Sequence, residues 1–174
     1  NGEAMAFLDK TKEHSQYTTI VEDDLGSADV LSSGWLDTAK LLAGYRKFLR
    51  GNNLLSEKKF EYEELNTSSE LLQWEDVSAE KIIFCEGSLA TKNPFFKNLP
   101  FVLTKGEMLT IRIKDFSPQH IISKGIYLAH QYEDVFKVDA TYDWDDLTDT
   151  PTEKGKADLV EKLKKVLKCD YEIL

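Results

Sequence analysis

Two segments of the chain place apolar side chains at the spacing of an amphipathic helix. The first begins at Asp37, whose carboxylate can cap a helix, and ends near Gly51, a residue type that often stops one. Between them, one apolar stripe is formed by Leu41, Leu42, Tyr45, Phe48 and Leu49. We therefore expect an amphipathic helix over residues 37 to 51.

The second helical segment follows the sequence Thr150-Pro151-Thr152-Glu153. This sequence is typical of a capping box in which Thr150 is the cap, Pro151 takes the first helical position and Glu153 reaches back to the cap. The pattern predicts a helix over residues 150 to 168. Its apolar stripe consists of Leu159, Val160, Leu163, Val166 and Leu167. A third, shorter helical pattern covers residues 3 to 13.

Alternation of apolar and polar side chains predicts antiparallel strands in the second half of the chain. Residues 109 to 114 alternate strictly, which indicates a strand with one buried and one polar face. Residues 119 to 130 and 134 to 142 predict two further strands joined by a turn at residues 132 to 134. We expect these three strands to form a meander. Two shorter candidates for strands cover residues 59 to 63 and 71 to 74.

A continuous apolar run occurs at Ile82-Ile83-Phe84-Cys85. Such a run predicts a strand buried on both faces, as in parallel sheets, and Cys85 is then a small buried apolar side chain. The run ends at Glu86-Gly87-Ser88. In open α/β sheets ligands bind at the carboxyl ends of strands, and a glycine there lets a cofactor approach the backbone. A plain tight turn at Gly87 is the alternative.

The balance of charge disfavours several classes of partner. The net charge of −9 and the isoelectric point of about 4.9 argue against nucleic acids and anionic membrane surfaces, since both attract clustered Lys and Arg. No apolar run approaches the roughly 18 residues that span a bilayer, and no secretory signal opens the chain. We expect a soluble, cytoplasmic protein. The Asn at its start and the Tyr-Glu-Ile-Leu at its end suggest a piece excised from a longer chain.

The chain lacks the common motifs of self-contained catalysis and of metal binding. None of its nine glycines forms a GxGxxG or GxxxxGK[ST] loop for phosphate, and its three histidines stand in no recognisable triad motif. Its two cysteines are too few for a disulfide framework. One acidic cluster invites a metal-site interpretation, but it lacks the Gly and the terminal Glu of a calcium loop, which favours a solvated loop. The cluster consists of Asp139, Asp143, Asp145, Asp146 and Asp149.

Several short motifs resemble, in order, those of the D-amino-acid-oxidase and glycine-oxidase family. Gly34-Trp35-Leu36-Asp37-Thr38 stands where that family has a Gly-x-Leu-Asp-Pro helix start, and residues 81 to 87 stand where it has a "vivaaG" strand. The resemblance covers roughly residues 30 to 168. The later matching segments are Leu99-Pro100, residues 105 to 109, Gly125-Ile126-Tyr127-Leu128, residues 138 to 144 and Pro151-Thr152-Glu153. Glu86 replaces the family's Ala, Asp139 replaces its Gly, and the Pro that follows "iYl" is replaced within Ala129-His130.

The resemblance implies an α+β fold in which residues 1 to 174 form a single fragment. A small α/β piece of an FAD-binding domain covers about residues 30 to 93. The antiparallel or mixed sheet of a substrate domain covers about residues 99 to 148, and a flanking helix covers residues 150 to 168.

The resemblance also implies a chemistry, in which FAD takes a hydride from the carbon that bears the amine of an amine or amino-acid substrate. Tyr127 and His130 would then face the substrate, with a tyrosine packed in the sheet core as the alternative for Tyr127. The residues implied to lie beside FAD are Glu86, Gly87, Ser88 and Phe60. The family's phosphate-binding loop and substrate-binding arginine have no counterpart here. We therefore expect the chain alone to be inactive and to bind FAD weakly or not at all.

A second interpretation comes from a different functional class. The chain would be a non-catalytic α+β module that presents an acidic, aromatic surface to a partner protein. Large aromatic side chains often anchor such interfaces. The candidate anchors are Tyr17, Trp35, Trp74 and Trp144.

Overall fold

A computed structural model describes residues 7–9, 14–68 and 70–174. The chain divides into two units. One unit is Leu36–Leu103, and the other combines Asn1–Trp35 with Thr104–Leu174. We call them the helix–hairpin unit and the sheet unit, and each is described by itself.

The helix–hairpin unit begins with α1 (Thr38–Gly51). The Asp37 side chain accepts a hydrogen bond from the backbone N–H of Lys40 at 2.9 Å, which confirms the predicted cap. The C-terminal cap is Asn52, one residue beyond the predicted stop. None of the helix residues is buried, so the predicted apolar stripe exists as a face but covers no core.

The rest of this unit contains one hairpin and two short 3-10 helices. Strands β1 (Leu72–Trp74) and β2 (Val77–Ala79) pair antiparallel, which confirms the short strand predicted at residues 71 to 74. The 3-10 helices are Tyr62–Glu64 and Gly87–Lys92. The strand predicted at residues 59 to 63 is wrong, because that segment is irregular and then turns into the first 3-10 helix.

The strand predicted at Ile82-Ile83-Phe84-Cys85 is also wrong. These residues join no sheet, Ile83 is 85% exposed and Cys85 is exposed rather than buried. A continuous apolar run forms a strand only where a neighbouring strand pairs with its backbone and layers cover both of its faces. No strand among the described residues supplies that pairing.

Among its described residues, the sheet unit has a sheet of five antiparallel strands in the order β4-β5-β6-β3-β7. They are β3 (Leu109–Arg112), β4 (Ile122–Ser123), β5 (Tyr127–Tyr132), β6 (Val135–Asp139) and β7 (Glu172–Ile173). The three predicted strands are present and antiparallel, but the predicted meander is wrong, because β3 pairs with β6 and not with the strand that follows it in the chain. The strand predicted at residues 119 to 130 is two strands, β4 and β5. Gly125, at a φ of +71°, turns the chain between them, a conformation that favours glycine. With helices beside two antiparallel sheets, the α+β class is confirmed.

The core of the sheet unit lies between one face of the sheet and α2 (Glu153–Lys164). The stripe predicted for this helix supplies Leu159 and Leu163, and Val166 and Leu167 continue it beyond the helix end. The predicted cap is wrong by two residues, since the Thr152 hydroxyl, not Thr150, accepts the backbone N–H of Gly155 at 2.9 Å. The sheet's side of the core includes Ile111, Leu128, Phe136 and Val138.

Most of the helix predicted over residues 3 to 13 lies outside the described residues. Within that range Leu8 is described, and it forms an antiparallel bridge with Val30. In the part of the chain that the structure describes, no helix is both long and apolar enough to cross a membrane.

Candidate functional site

In the helix–hairpin unit, aromatic rings gather around Phe84. The centroid of its ring lies 5.8 Å from Phe60, 6.1 Å from Tyr62, and 5.8 and 5.6 Å from Phe95 and Phe96. Ring pairs at such distances add about 0.5–1.5 kcal/mol each beyond the burial of their area. The cluster therefore holds three separate stretches of irregular backbone together. It also places Phe60, one of the four residues predicted beside FAD, in the packing around the Phe84 side chain.

Glu86 directly follows the apolar run Ile82-Ile83-Phe84-Cys85, and both of its carboxylate oxygens accept hydrogen bonds. The Tyr62 hydroxyl donates to Oε1, and the Asn93 side-chain amide donates to Oε2 at 2.8 Å. Asn93 is fully buried, and its own Oδ1 accepts the backbone N–H of Phe95 at 2.9 Å. The bond to Glu86 raises the pKa of Tyr62 to about 12, so the hydroxyl remains a donor at neutral pH.

Gly87 follows with a φ of +57°, a backbone conformation that favours glycine. A Cβ built on it would meet nothing within 4 Å, so its main chain borders open space. Ser88 is exposed, and its carbonyl accepts the Thr91 hydroxyl at 3.0 Å. These residues fit a cofactor that approaches the main chain at Gly87. The Glu86 carboxylate is engaged by Tyr62 and Asn93, so it offers no unpaired oxygen toward such a ligand.

The two residues predicted to face a substrate lie on β5 of the sheet unit, where they point to opposite faces. They are three positions apart, and side chains alternate along a strand. His130 pairs with Phe136 on the core face, with ring centroids 5.3 Å apart, and its Nε2 donates to the carbonyl of Glu133 at 2.8 Å. Tyr127 points to the outer face and is 56% exposed. One substrate on the outer face can therefore meet Tyr127 but not the ring of His130.

The outer face of the sheet is polar, as predicted for the strand over residues 109 to 114. Lys137 Nζ donates to the Thr110 hydroxyl at 2.6 Å, and Arg112 pairs with Asp134 and Glu172 at 3.2 and 2.7 Å. The alternation of residues 109 to 114 predicted a polar face for this strand, and Thr110 and Arg112 lie on it. Asp139, opposite Tyr127, has one buried carboxylate oxygen with no hydrogen-bond partner among the residues that the structure describes.

A second polar network surrounds the start of α2. Glu107 accepts the backbone N–H and the hydroxyl of Thr152, both at 2.7 Å. Lys105, whose side chain is almost buried, lies 3.7 Å from Glu107 and donates to Asp146 at 2.9 Å and to the carbonyl of Thr150 at 2.6 Å. The helix start is thereby tied to the segment that leads into β3.

Two members of the acidic cluster, Asp143 and Asp146, lie in this network. Asp143 accepts the backbone N–H groups of Asp145 and Asp146 at 2.9 and 3.0 Å, and Lys154 donates to it at 3.0 Å. The two backbone bonds, helped by Lys154, lower the pKa of Asp143 to about 2. Within the described residues, no three His, Cys, Asp or Glu side chains are arranged to hold a metal ion.

The Glu107 contacts predict a dependence of stability on pH. The backbone N–H of Thr152, then its hydroxyl, hold the pKa of Glu107 below the ordinary value of 4.5. A lowered pKa stabilises the fold above that ordinary value, and the contribution disappears as the pH falls through the lower, folded value. Glu107→Gln should therefore lower the melting temperature at neutral pH and flatten its decline in acid. Thermal melts at a series of pH values test this, and parallel curves for the two proteins would contradict it.

A cavity of about 300 Å³ in the sheet unit is lined by side chains from residues 15 to 29 and 120 to 124. None of the predicted site residues lines it. The predicted residues are instead divided between the Gly87 turn with its aromatic cluster and the two faces of β5.

No model of a known protein family matches the chain, and no solved structure matches it.

Proposed function

We propose that the chain is the middle, substrate-facing portion of a cytoplasmic FAD-dependent oxidoreductase that oxidises an amine or an amino acid. The ordered motifs over residues 30 to 168 support this proposal. When bound, FAD would supply the acceptor for a hydride lost from the carbon that bears a primary amine, and water would hydrolyse the resulting imine to a carbonyl compound and ammonia.

The observation that carries the proposal is the turn at Gly87. A glycine at positive φ, with open space where a side chain would be, suits a backbone that a flat cofactor approaches closely. Phe60 and Phe84 brace the segment that leads into the turn. The residues proposed to contact FAD are Gly87 and Ser88, with Phe60 behind them in the aromatic cluster.

On the outer face of the sheet, Tyr127 is the residue proposed to meet the substrate. Its ring is exposed, and its hydroxyl can donate to or accept from a polar substrate. Its role is to orient the amine-bearing carbon, since positioning and exclusion of water are the protein's main contribution in flavin catalysis. His130 is left out of this role because its ring contacts Phe136 and the Glu133 carbonyl.

The 174 residues by themselves are proposed to be inactive. They contain no GxGxxG loop to hold the pyrophosphate of FAD. The exposed apolar face of α1 and the unpaired run at Ile82-Ile83-Phe84-Cys85 are consistent with a layer completed by further elements.

A substrate panel tests the proposal. The product of the complete reading frame that contains this chain is loaded with FAD and mixed without oxygen with amines and with D- and L-amino acids. We expect at least one of them to bleach the flavin and to release ammonia, and Tyr127→Phe to change KM or kcat for it. A flavin that no member of the panel reduces would contradict the proposed reaction.

The second candidate, a non-catalytic interaction module, is favoured by one surface observation. Trp144 is exposed and stacks on the exposed ring of Tyr142 at 6.4 Å, and Trp35 is also exposed. The other two suggested anchors pack inside their own units. Tyr17 packs on the core of the sheet unit, and Trp74 contacts Phe60 in the helix–hairpin unit. A colourless full-length product whose binding to a protein partner is abolished by Trp144→Ala would favour this candidate.

A further inference from the structure

We propose that Glu86 is a positioning residue that fixes the main chain at Gly87 for the cofactor, through Tyr62 and Asn93, and does not contact the cofactor itself. This inference rests on the proposed function, and it assigns a role to the residue that replaces the Ala typical of the similar family.

Both oxygens of the Glu86 carboxylate are engaged in hydrogen bonds. One oxygen accepts the Tyr62 hydroxyl and the other accepts the Asn93 amide. Hydrogen bonds to a charged acceptor are stronger than those between neutral groups. Turning the carboxylate toward a ligand would break both bonds and leave the fully buried Asn93 amide without this acceptor.

The hydrogen bonds of Glu86 join segments that lie before and after Gly87 in the chain. Tyr62 lies 24 residues before Glu86, and Asn93 lies seven residues after it. The carbonyl of Glu86 also accepts the backbone N–H of Leu89 at 3.1 Å, inside the 3-10 helix that starts at Gly87. The residue directly before Gly87 is thus held by both its side chain and its main chain.

Few other contacts restrain the main chain at Gly87. Its neighbourhood is open, and glycine has the greatest conformational freedom of all residues. A turn that must meet a cofactor in one geometry loses affinity when it has to be ordered on binding. The bonds of Glu86 supply that order in advance.

Two substitutions of Glu86 distinguish the effect of its hydrogen bonds from the effect of its negative charge. Glu86→Gln keeps an oxygen for the Asn93 amide, and its own amide can donate to the Tyr62 oxygen, so both links persist without the charge. Glu86→Ala removes both links. Glu80→Ala is the matched control, since Glu80 is an exposed glutamate of the same unit.

The test uses the product of the complete reading frame. We expect Glu86→Ala to weaken FAD binding at least about tenfold, or about 1.4 kcal/mol, and to shift the absorption bands of the bound flavin. Glu86→Gln should bind within about threefold of wild type with unshifted bands, about 0.6 kcal/mol at most. Glu80→Ala should match wild type. Wild-type affinity and spectrum in Glu86→Ala would overturn the proposal, and so would a Glu86→Gln variant as impaired as Glu86→Ala, because the charge itself would then be needed.

A measurement without FAD distinguishes failure of this inference from failure of the proposed function. In two-dimensional NMR spectra of the 174-residue chain, the Asn93 side-chain amide should exchange slowly with water, and Glu86→Ala should abolish that protection. If the Asn93 amide is protected from exchange but the full-length protein binds no FAD, the hydrogen bonds of Glu86 exist, but the proposed function and the proposed role of Glu86 are both overturned. An unprotected Asn93 amide in a flavoprotein would overturn this inference alone.

Discussion

Replacing Leu163 by alanine is expected to lower the free energy of unfolding of the sheet unit by about 2–5 kcal/mol. Leu163 is fully buried on the face of α2 that packs against the sheet, where it shares one cluster with Ile111, Phe136 and Val138. Truncation removes its apolar area and leaves a cavity that the strands can fill only in part. Chemical denaturation followed by circular dichroism measures the loss.

The matched control is Leu147→Ala in the same unit. Leu147 is about half exposed and belongs to no buried cluster, so its truncation should cost less than about 1 kcal/mol. Equal costs at the two leucines would contradict the placement of the core between α2 and the sheet.

Gly155→Ala is expected to destabilise the sheet unit by about 1–3 kcal/mol, although alanine is normally the better helix former. A Cβ at this position in the first turn of α2 would lie 2.7 Å from the Glu107 carboxylate. That carboxylate cannot move freely, because it accepts two hydrogen bonds from Thr152 and lies near Lys105. Its displacement would cost those bonds, which outweighs the helix propensity gained. Urea unfolding curves of the variant and the wild type give the difference.

The control for this prediction is Gly44→Ala in the interior of α1. A Cβ there meets nothing within 4 Å, so only helix propensity acts, and stability should rise by up to about 1 kcal/mol. Combining Gly155→Ala with Glu107→Ala supplies a second check. The double variant should lose less than the sum of the two single losses, and additive losses would show that the carboxylate is not the obstacle.

Both helices could be predicted from the sequence because their signals are local. The stripes on α1 and α2 and the Asp37 cap depend on residues within a few positions of one another. The position of the cap of α2, Thr152 and not Thr150, could not be predicted from local residues. It depends on Glu107, 45 residues away in the chain, which binds the Thr152 hydroxyl and backbone N–H.

The strand expected at Ile82-Ile83-Phe84-Cys85 illustrates the opposite case. Its apolar pattern is compatible with a buried strand. A strand also needs a neighbouring strand that pairs with its backbone, and no described residue provides that pairing. Local pattern and long-range pairing therefore disagree at the segment that leads into the candidate site.

The candidate site was predictable in part. The glycine at the end of the apolar run could be identified, and its positive φ agrees with the choice of residue. The partners of Glu86 could not, because Tyr62 and Asn93 reach it only through the packing around Phe84. The separation of Tyr127 from His130 was available in the sequence, since an odd spacing along a strand places two side chains on opposite faces.

If the turn at Gly87 belongs to a flavin site, the full-length gene product should bind FAD, and its absorption spectrum should show the bound flavin. The protein is purified, saturated with FAD, freed of unbound cofactor and examined before and after denaturation. We expect a yellow protein with flavin bands that releases about one FAD per chain, and a Gly87→Val variant that retains much less. A colourless wild-type protein after this loading, or a Gly87→Val variant with full flavin content, would contradict it.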